Sequence, residues 1–217
     1  MSRSLGASGP QCVVFLWLSL AFGNVAEAQT LSVRGFADVG ATAFTASKSF
    51  GAVLGSRAGT VFGGGVEVRL SAPVFVSVRG SQFRKHGERV FVFEGETFPL
   101  GIRSTVAITP LELTGGYRFR ADRARLTPFL GGGIGWHRYA ESSEGADDDE
   151  NVSGMHRGYH VLTGAEFRLT GWLGVAAEAQ WTTVPDALGR NPNSVSAAFE
   201  ETDLGGTSVR VRLVIGR

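Results

Sequence analysis

The stretch Val209-Arg210-Val211-Arg212-Leu213-Val214-Ile215 carries the architecture of the whole chain in miniature. Val209, Val211, Leu213 and Ile215 fall on one side of an extended chain, Ser208, Arg210 and Arg212 on the other. Successive side chains of a strand point to opposite faces, so the segment has one apolar and one charged face. The same split returns at Leu111, Leu113, Tyr117 and Phe119 against Glu112, Thr114 and Arg118. It returns again at Tyr159, Val161, Ala165, Phe167 and Leu169 against His160, Glu166 and Arg168.

Across the chain, the pattern predicts eight strands, at 31–44, 60–70, 74–84, 106–120, 126–139, 157–169, 172–183 and 205–216. The connections at 71–73, 121–125 and 170–171 are short. Those at 45–59, 85–105, 140–156 and 184–204 are long and mostly polar. Short turns at one end and long loops at the other are the arrangement of outer-membrane barrels. The fold class is therefore all-β, an eight-stranded antiparallel up-and-down transmembrane β-barrel, with both termini on the short-turn, periplasmic side. Arg89 to Phe93 (RVFVF) also alternates and suggests a hairpin standing above the membrane.

Bulk properties agree. The chain has 217 residues, 31 of them glycine, and no internal stretch approaches the length of a spanning helix. Any membrane crossing must be made by strands. Lys and Arg number 21 against 20 Asp and Glu, a balance that gives no support for nucleic-acid binding. Residues 1–28 read as a signal peptide, with Arg3 ahead of an apolar Val13–Phe22 and a small-x-small site at Ala26-Glu27-Ala28. The barrel domain is then 29–217, and cleavage removes Cys12, the only cysteine, leaving no disulfide or thiol chemistry.

Aromatic residues collect at the strand ends. Phe44, Phe62, Trp136, Tyr139, Tyr159 and Trp181 lie toward the long loops, and Tyr117, Phe119, Phe167 and Trp172 toward the short turns. Two such groups predict two interfacial girdles.

Leu113 to Arg118 (LTGGYR) and Pro128 to Trp136 (PFLGGGIGW) are similar to the Gly-rich strands of the small outer-membrane β-barrel proteins of the OmpA and OmpX type. The resemblance covers nearly the whole mature chain. It implies a non-enzymatic outer-membrane protein with a structural or surface-interaction role. Its partners would be outer-membrane lipids, lipopolysaccharide and the barrel assembly machinery. Such barrels usually end on an aromatic residue, whereas this chain ends Val214-Ile215-Gly216-Arg217.

The inward faces carry Arg34, Arg69, Arg79, Arg118, Arg168, Arg210 and Arg212, with Asp38, Glu67, Glu112, Glu166 and Glu178. An eight-stranded barrel is only wide enough for its own side chains. These residues are expected to form a lumenal network of Arg–carboxylate bonds that plugs and braces the barrel. A narrow conduit for small solutes is the alternative. A soluble lipocalin-like barrel with the two faces exchanged is another.

No catalytic, cofactor or metal site is expected. His137 and His160 are candidate cross-strand neighbours that, with Glu166, would offer metal ligands, but rim hydrogen bonding is the simpler role. Gly158 to Leu162 lacks the His-x-Ser pattern of a lipid-deacylating barrel. The runs Gly63-Gly64-Gly65 and Gly131-Gly132-Gly133 lack phosphate-loop spacing and read as strand glycines that permit close approach. Glu141, Glu144, Asp147, Asp148, Asp149 and Glu150 read as a solvated loop tip, with cation binding the alternative. Arg84, Lys85, His86 and Arg89 are placed to meet lipid phosphates.

Overall fold

The computed structural model describes residues 31–71, 73–93, 95–119, 125–145, 152–191 and 194–216. The strands are β1 (Ser32–Phe44), β2 (Ala58–Ser71), β3 (Val74–Phe93), β4 (Glu96–Arg118), β5 (Leu126–Ser143), β6 (Val152–Arg168), β7 (Leu173–Thr183) and β8 (Gly206–Gly216). Each pairs antiparallel with the next, and β8 pairs with β1 to close the barrel. Number, order and topology match the sequence pattern. The signal-peptide residues 1–28 lie outside the described residues.

The loops differ from expectation. Most of 85–105 is strand, because Arg89 to Phe93 continues the alternation and Val90 to Phe93 pairs with Glu96 to Pro99. The hairpin suggested by RVFVF is thus the far end of the two longest strands. Strands β5 and β6 also run on, pairing Glu141 with Val152. The first long loop holds a helix the alternation gave no sign of, α1 (Ser47–Leu54), which ends at Gly55 with φ 70°. Only glycine adopts that left-handed conformation at little cost. A short turn of helix, α2 (Val195–Ala198), sits in the last loop.

Register fixes the tilt. Following paired residues from Arg34 through Glu67, Ser77, Thr114, Gly133, His160, Thr182 and Gly206 returns to Phe44 on β1. That is ten residues beyond the start, so a line of constant height steps about 1.25 residues from strand to strand. On this line Phe62, Trp136, Tyr159 and Trp181 are level to within about two residues. All four are exposed on the outer wall, as are Tyr117, Phe119, Phe167 and Trp172 near the opposite edge. Phe44 and Tyr139 do not join the girdle. Both have inward parity, Phe44 is buried, and Tyr139 packs against the same cluster.

Between the two aromatic belts no described outward position is charged. The wall is built from residues such as Val39, Val66, Val78, Leu113, Leu130, Val161, Val211 and Leu213, each exposed. An apolar exterior around a charged interior is the reverse of a soluble barrel.

Candidate functional site

The lumen has two layers. Nearest the chain termini, Arg34, Glu67, Arg118 and Glu166 come from β1, β2, β4 and β6. Arg34 Nη1 donates to Glu166 Oε1 at 2.7 Å and Nη2 to Glu67 Oε1 at 2.5 Å. Arg118 Nη1 donates to Glu166 Oε2 at 2.8 Å and Nη2 to Glu67 Oε2 at 2.7 Å. Each carboxylate thus receives both guanidinium groups, a closed square of charge-assisted bonds. Glu67 is 1% exposed, so the square is out of water.

Above it, Asp38, Arg79, Glu112, Glu178, Arg210 and Arg212 form a second group around Gln180. Arg79 Nη2 lies 2.6 Å from Glu178 Oε1, and its Nε 3.2 Å from Asp38 Oδ2. Gln180 Oε1 accepts from Arg79 at 2.9 Å and Arg210 at 2.5 Å, while its amide nitrogen donates to Glu112 Oε1 at 2.6 Å. Arg212 binds Glu178 and stands 3.9 Å from Glu67, joining the two groups. Five arginines meet five carboxylates, so the cluster is neutral as a whole.

Aromatic rings frame the arginines. Arg212 sits 4.3 Å from the centre of the Phe36 ring, and Arg118 lies between Phe75 at 5.2 Å and Phe129 at 5.1 Å. Glycines make the room. A Cβ at Gly65 would fall 2.8 Å from the Phe36 ring, and one at Gly116 would collide with that of Phe75. Gly65 and Gly116 therefore leave space for rings inside a narrow barrel, whereas a Cβ at Gly63, Gly64 or Gly133 would run into the backbone of the neighbouring strand.

Two of the expected network residues stand apart. Arg168 keeps the inward parity but ends β6 and is exposed to solvent, which removes any need for a buried partner. Arg69, also near the terminal edge, is half-buried and donates to Ser32 Oγ at 2.9 Å. Gln180, which the reading by charge overlooked, bridges the second group. Its signal was its parity, two residues beyond Glu178 on β7.

The histidine constellation does not assemble. His137 pairs in register with His156 rather than His160, and Glu166 is held in the terminal square. His160 Nε2 lies 2.9 Å from Thr114 Oγ1 and its Nδ1 4.0 Å from Glu112. Among the described residues no group of three or more His, Cys, Asp or Glu is arranged to hold a metal. Of the acidic loop, Glu141 accepts from the Tyr139 hydroxyl at 2.8 Å, whereas 147–150 lie outside the described residues.

Toward the long loops the filling turns apolar. Phe44, Phe50, Leu54, Phe83, Ile108 and Leu188 pack into one cluster across the barrel mouth. Helix α1 supplies Phe50, stacked on Phe44 at 4.3 Å, and Leu54 one turn later. No side chain of its own caps α1. Glu201 from the last loop does so instead, accepting from the backbone N–H of Lys48 at 3.0 Å and of Ser49 at 2.8 Å, and from the Ser49 hydroxyl at 2.6 Å. A cavity of about 40 Å³ separates the apolar and ionic fillings, lined in part by Thr42, His137, Ser208 and Arg210. That is room for a few water molecules. A larger cavity of about 390 Å³ is lined by Phe50 and Leu54 of α1 and by Leu188, together with Arg89, His156 and Arg190.

A closed ring of eight strands, charged within and apolar without, defines a transmembrane β-barrel. The signature of the outer membrane protein beta-barrel domain matches residues 15–211, and the chain belongs to that family. Neisserial surface protein A has a similar structure, with a TM-score of 0.55 and 13% identity over 86% of this chain and 97% of that one. A major outer membrane protein of Thermus thermophilus also has a TM-score of 0.55, with 10% identity over 85% of this chain and 99% of that one. At these identities the likeness is one of fold. Among curated proteins none matches the sequence.

Proposed function

We propose that the protein is a non-enzymatic outer-membrane barrel whose lumen is plugged and whose activity lies in its surface and loops. The observation that carries this reading is the stacking of two fillings, ionic and apolar, across the same bore. Each carboxylate of the ionic layer already faces arginine, so none is free to act as a general base. The loop end, with its extended hairpins and larger cavity, is the natural contact surface. On this reading residues 1–28 are removed on export, the termini face the periplasm and the assembly machinery inserts the chain. The acidic loop stays a solvated tip.

Planar-bilayer recording on refolded protein is the test. The expected result is no steady conductance of porin size. A steady conductance would favour the narrow conduit and overturn the plug. Intact mass of membrane-extracted protein, expected to begin at Gln29, checks the processing.

A further inference from the structure

Three cations stand on the outer wall where a membrane-facing surface would have none. Arg84 on β3, Arg138 on β5 and Arg157 on β6 all have outward parity and are exposed. On the line of constant height they fall within about one residue of one another. That line runs about 6 Å above the aromatic belt, at a rise of about 3.3 Å per residue and a strand tilt near 45°. Arg157 pairs directly with Trp136, and Arg138 with Met155.

The cations occupy one side only. At the same height β7, β8, β1 and β2 present Thr183, Thr207, Ala43 and Thr60. The next cation round the rim, Arg57, precedes β2 and lies outside the strand wall. Nor do nearby acids neutralise the three arginines. Glu88 accepts from the Gly101 N–H at 2.6 Å, Glu141 holds the Tyr139 hydroxyl, and no described carboxylate pairs with any of the three. Neighbouring strands are about 4.8 Å apart, so at this tilt Arg138 and Arg157 are about 7 Å apart along the rim and Arg84 about 14 Å from Arg138.

We propose that Arg84, Arg138 and Arg157 form a binding site for the phosphate groups of a glycolipid of the surrounding leaflet, which is lipopolysaccharide in the orientation given above. The chemistry is complementary in three ways. Guanidinium groups bind phosphate oxygens in bidentate fashion. The height places them at headgroup level, with Trp136 and Tyr159 just below as the interfacial belt for the top of the acyl chains. The spread along the rim suits a headgroup with two separated phosphates rather than a single ion. The site would hold lipid against the β3–β6 face and leave the opposite face bare. It rests on the proposed orientation only for the identity of the lipid.

The full chain, refolded in detergent micelles, is titrated with phosphorylated lipopolysaccharide, with the same lipid stripped of phosphate and with inorganic phosphate, and bound species are counted by native mass spectrometry. The parent should bind the phosphorylated lipid about a hundredfold more tightly than the stripped form. The triple variant Arg84→Gln, Arg138→Gln, Arg157→Gln should lose that preference. The charge-matched Arg103→Gln, Arg168→Gln, Arg190→Gln should keep it. Arg138→Gln alone should lose about fivefold, which preserves the test if the triple variant does not refold. Equal binding by parent and triple variant, an equal loss in the control, or no preference in the parent would each overturn the site. So would full competition by millimolar phosphate, the mark of an adventitious ion only. Resistance of each variant to SDS until heated reports the barrel separately. Protease access to the loops on intact cells reports the orientation, which can fail while binding in micelles stands.

Discussion

The terminal half of the lumen and its mouth fill the same bore by opposite means. Around Glu67 the filling is made of ions that are stable only as a set. Around Phe50 it is made of rings and aliphatic side chains that pack one by one. The ionic half draws on seven of the eight strands, all but β5, every member fixed to the wall. The apolar half draws a helix down from a loop and holds it with a carboxylate from another loop. Each kind of filling thus has its own proper place. Paired charge suits rigid positions whose geometry the register dictates, whereas apolar packing tolerates a segment that has to be folded in from outside.

The most severe challenge to this contrast is Glu67→Ala. It leaves Arg34 and Arg118 each short of a partner in a dry site, and should cost about 3–5 kcal/mol in urea unfolding from lipid vesicles. Concerted replacement of Arg34, Glu67, Arg118 and Glu166 by apolar residues of similar volume should be far milder, neutral or even stabilising. If the single change proves as mild as the concerted one, the ions do not act as a set. Val211→Arg, on the lipid face beside Arg210, should cost about 2–4 kcal/mol by the same measurement. A variant as stable as the parent would reverse the assignment of the two faces.

Smaller effects refine the account of the mouth. Glu201→Gln weakens the cap on α1 and should cost about 1 kcal/mol, visible as faster amide exchange in α1 with β1 to β8 unchanged. Burial pushes the Glu201 carboxyl up, but its bonds from the Ser49 hydroxyl and the Lys48 and Ser49 N–H groups outweigh that and hold it below the usual carboxylate range. A lowered pKa in the folded state means stability that is complete above the ordinary carboxyl value and is lost as pH falls through the lowered one. The protection of the α1 amides, exchange corrected for its intrinsic pH dependence, should therefore fall on acidification in the parent and change less in Glu201→Gln. Least of all, deletion of 144–151 should leave the unfolding free energy within about 0.5 kcal/mol, because loop closure depends weakly on length. Cutting back to Ser142 and Ser153 would remove paired strand ends and should be worse.

Strands and their faces were legible because period-two alternation is local and survives without knowledge of partners. Ser208, Arg210 and Arg212 declare their side in any register. The ends of β3 and β4 were less legible, since His86, Gly87 and Glu88 interrupt the pattern and a bulge shifts the register between Glu88 and Val90. Helix α1 was hidden for a different reason. Its cap comes from Glu201, 152 residues beyond Ser49, and its apolar face is short, Phe50, Val53 and Leu54, so little nearby in sequence announces it. Arg168 was misplaced because parity tells which way a side chain points but not how far along the bore it lies, and Phe44 because nearness to a strand end does not tell which way it points. Which arginine meets which carboxylate depends on the ten-residue stagger, and that exists only in the closed ring.

The stagger also has a consequence for time. Arg34 and Glu166 are 132 residues apart, and their bond forms only when β1 has met β8 and the wall has come round. Until then the bonds that cross the bore, such as Arg34–Glu166 and Arg79–Glu178, are unmade, and their charges stand on surfaces that hydrocarbon rejects. A register slipped by one residue would turn those charges outward along a whole strand. Partly assembled rings and slipped ones are thus both expelled from the bilayer interior by the same residues that later brace it. Folding should be late, cooperative and self-correcting, with the lumen serving as the proofreader of the wall.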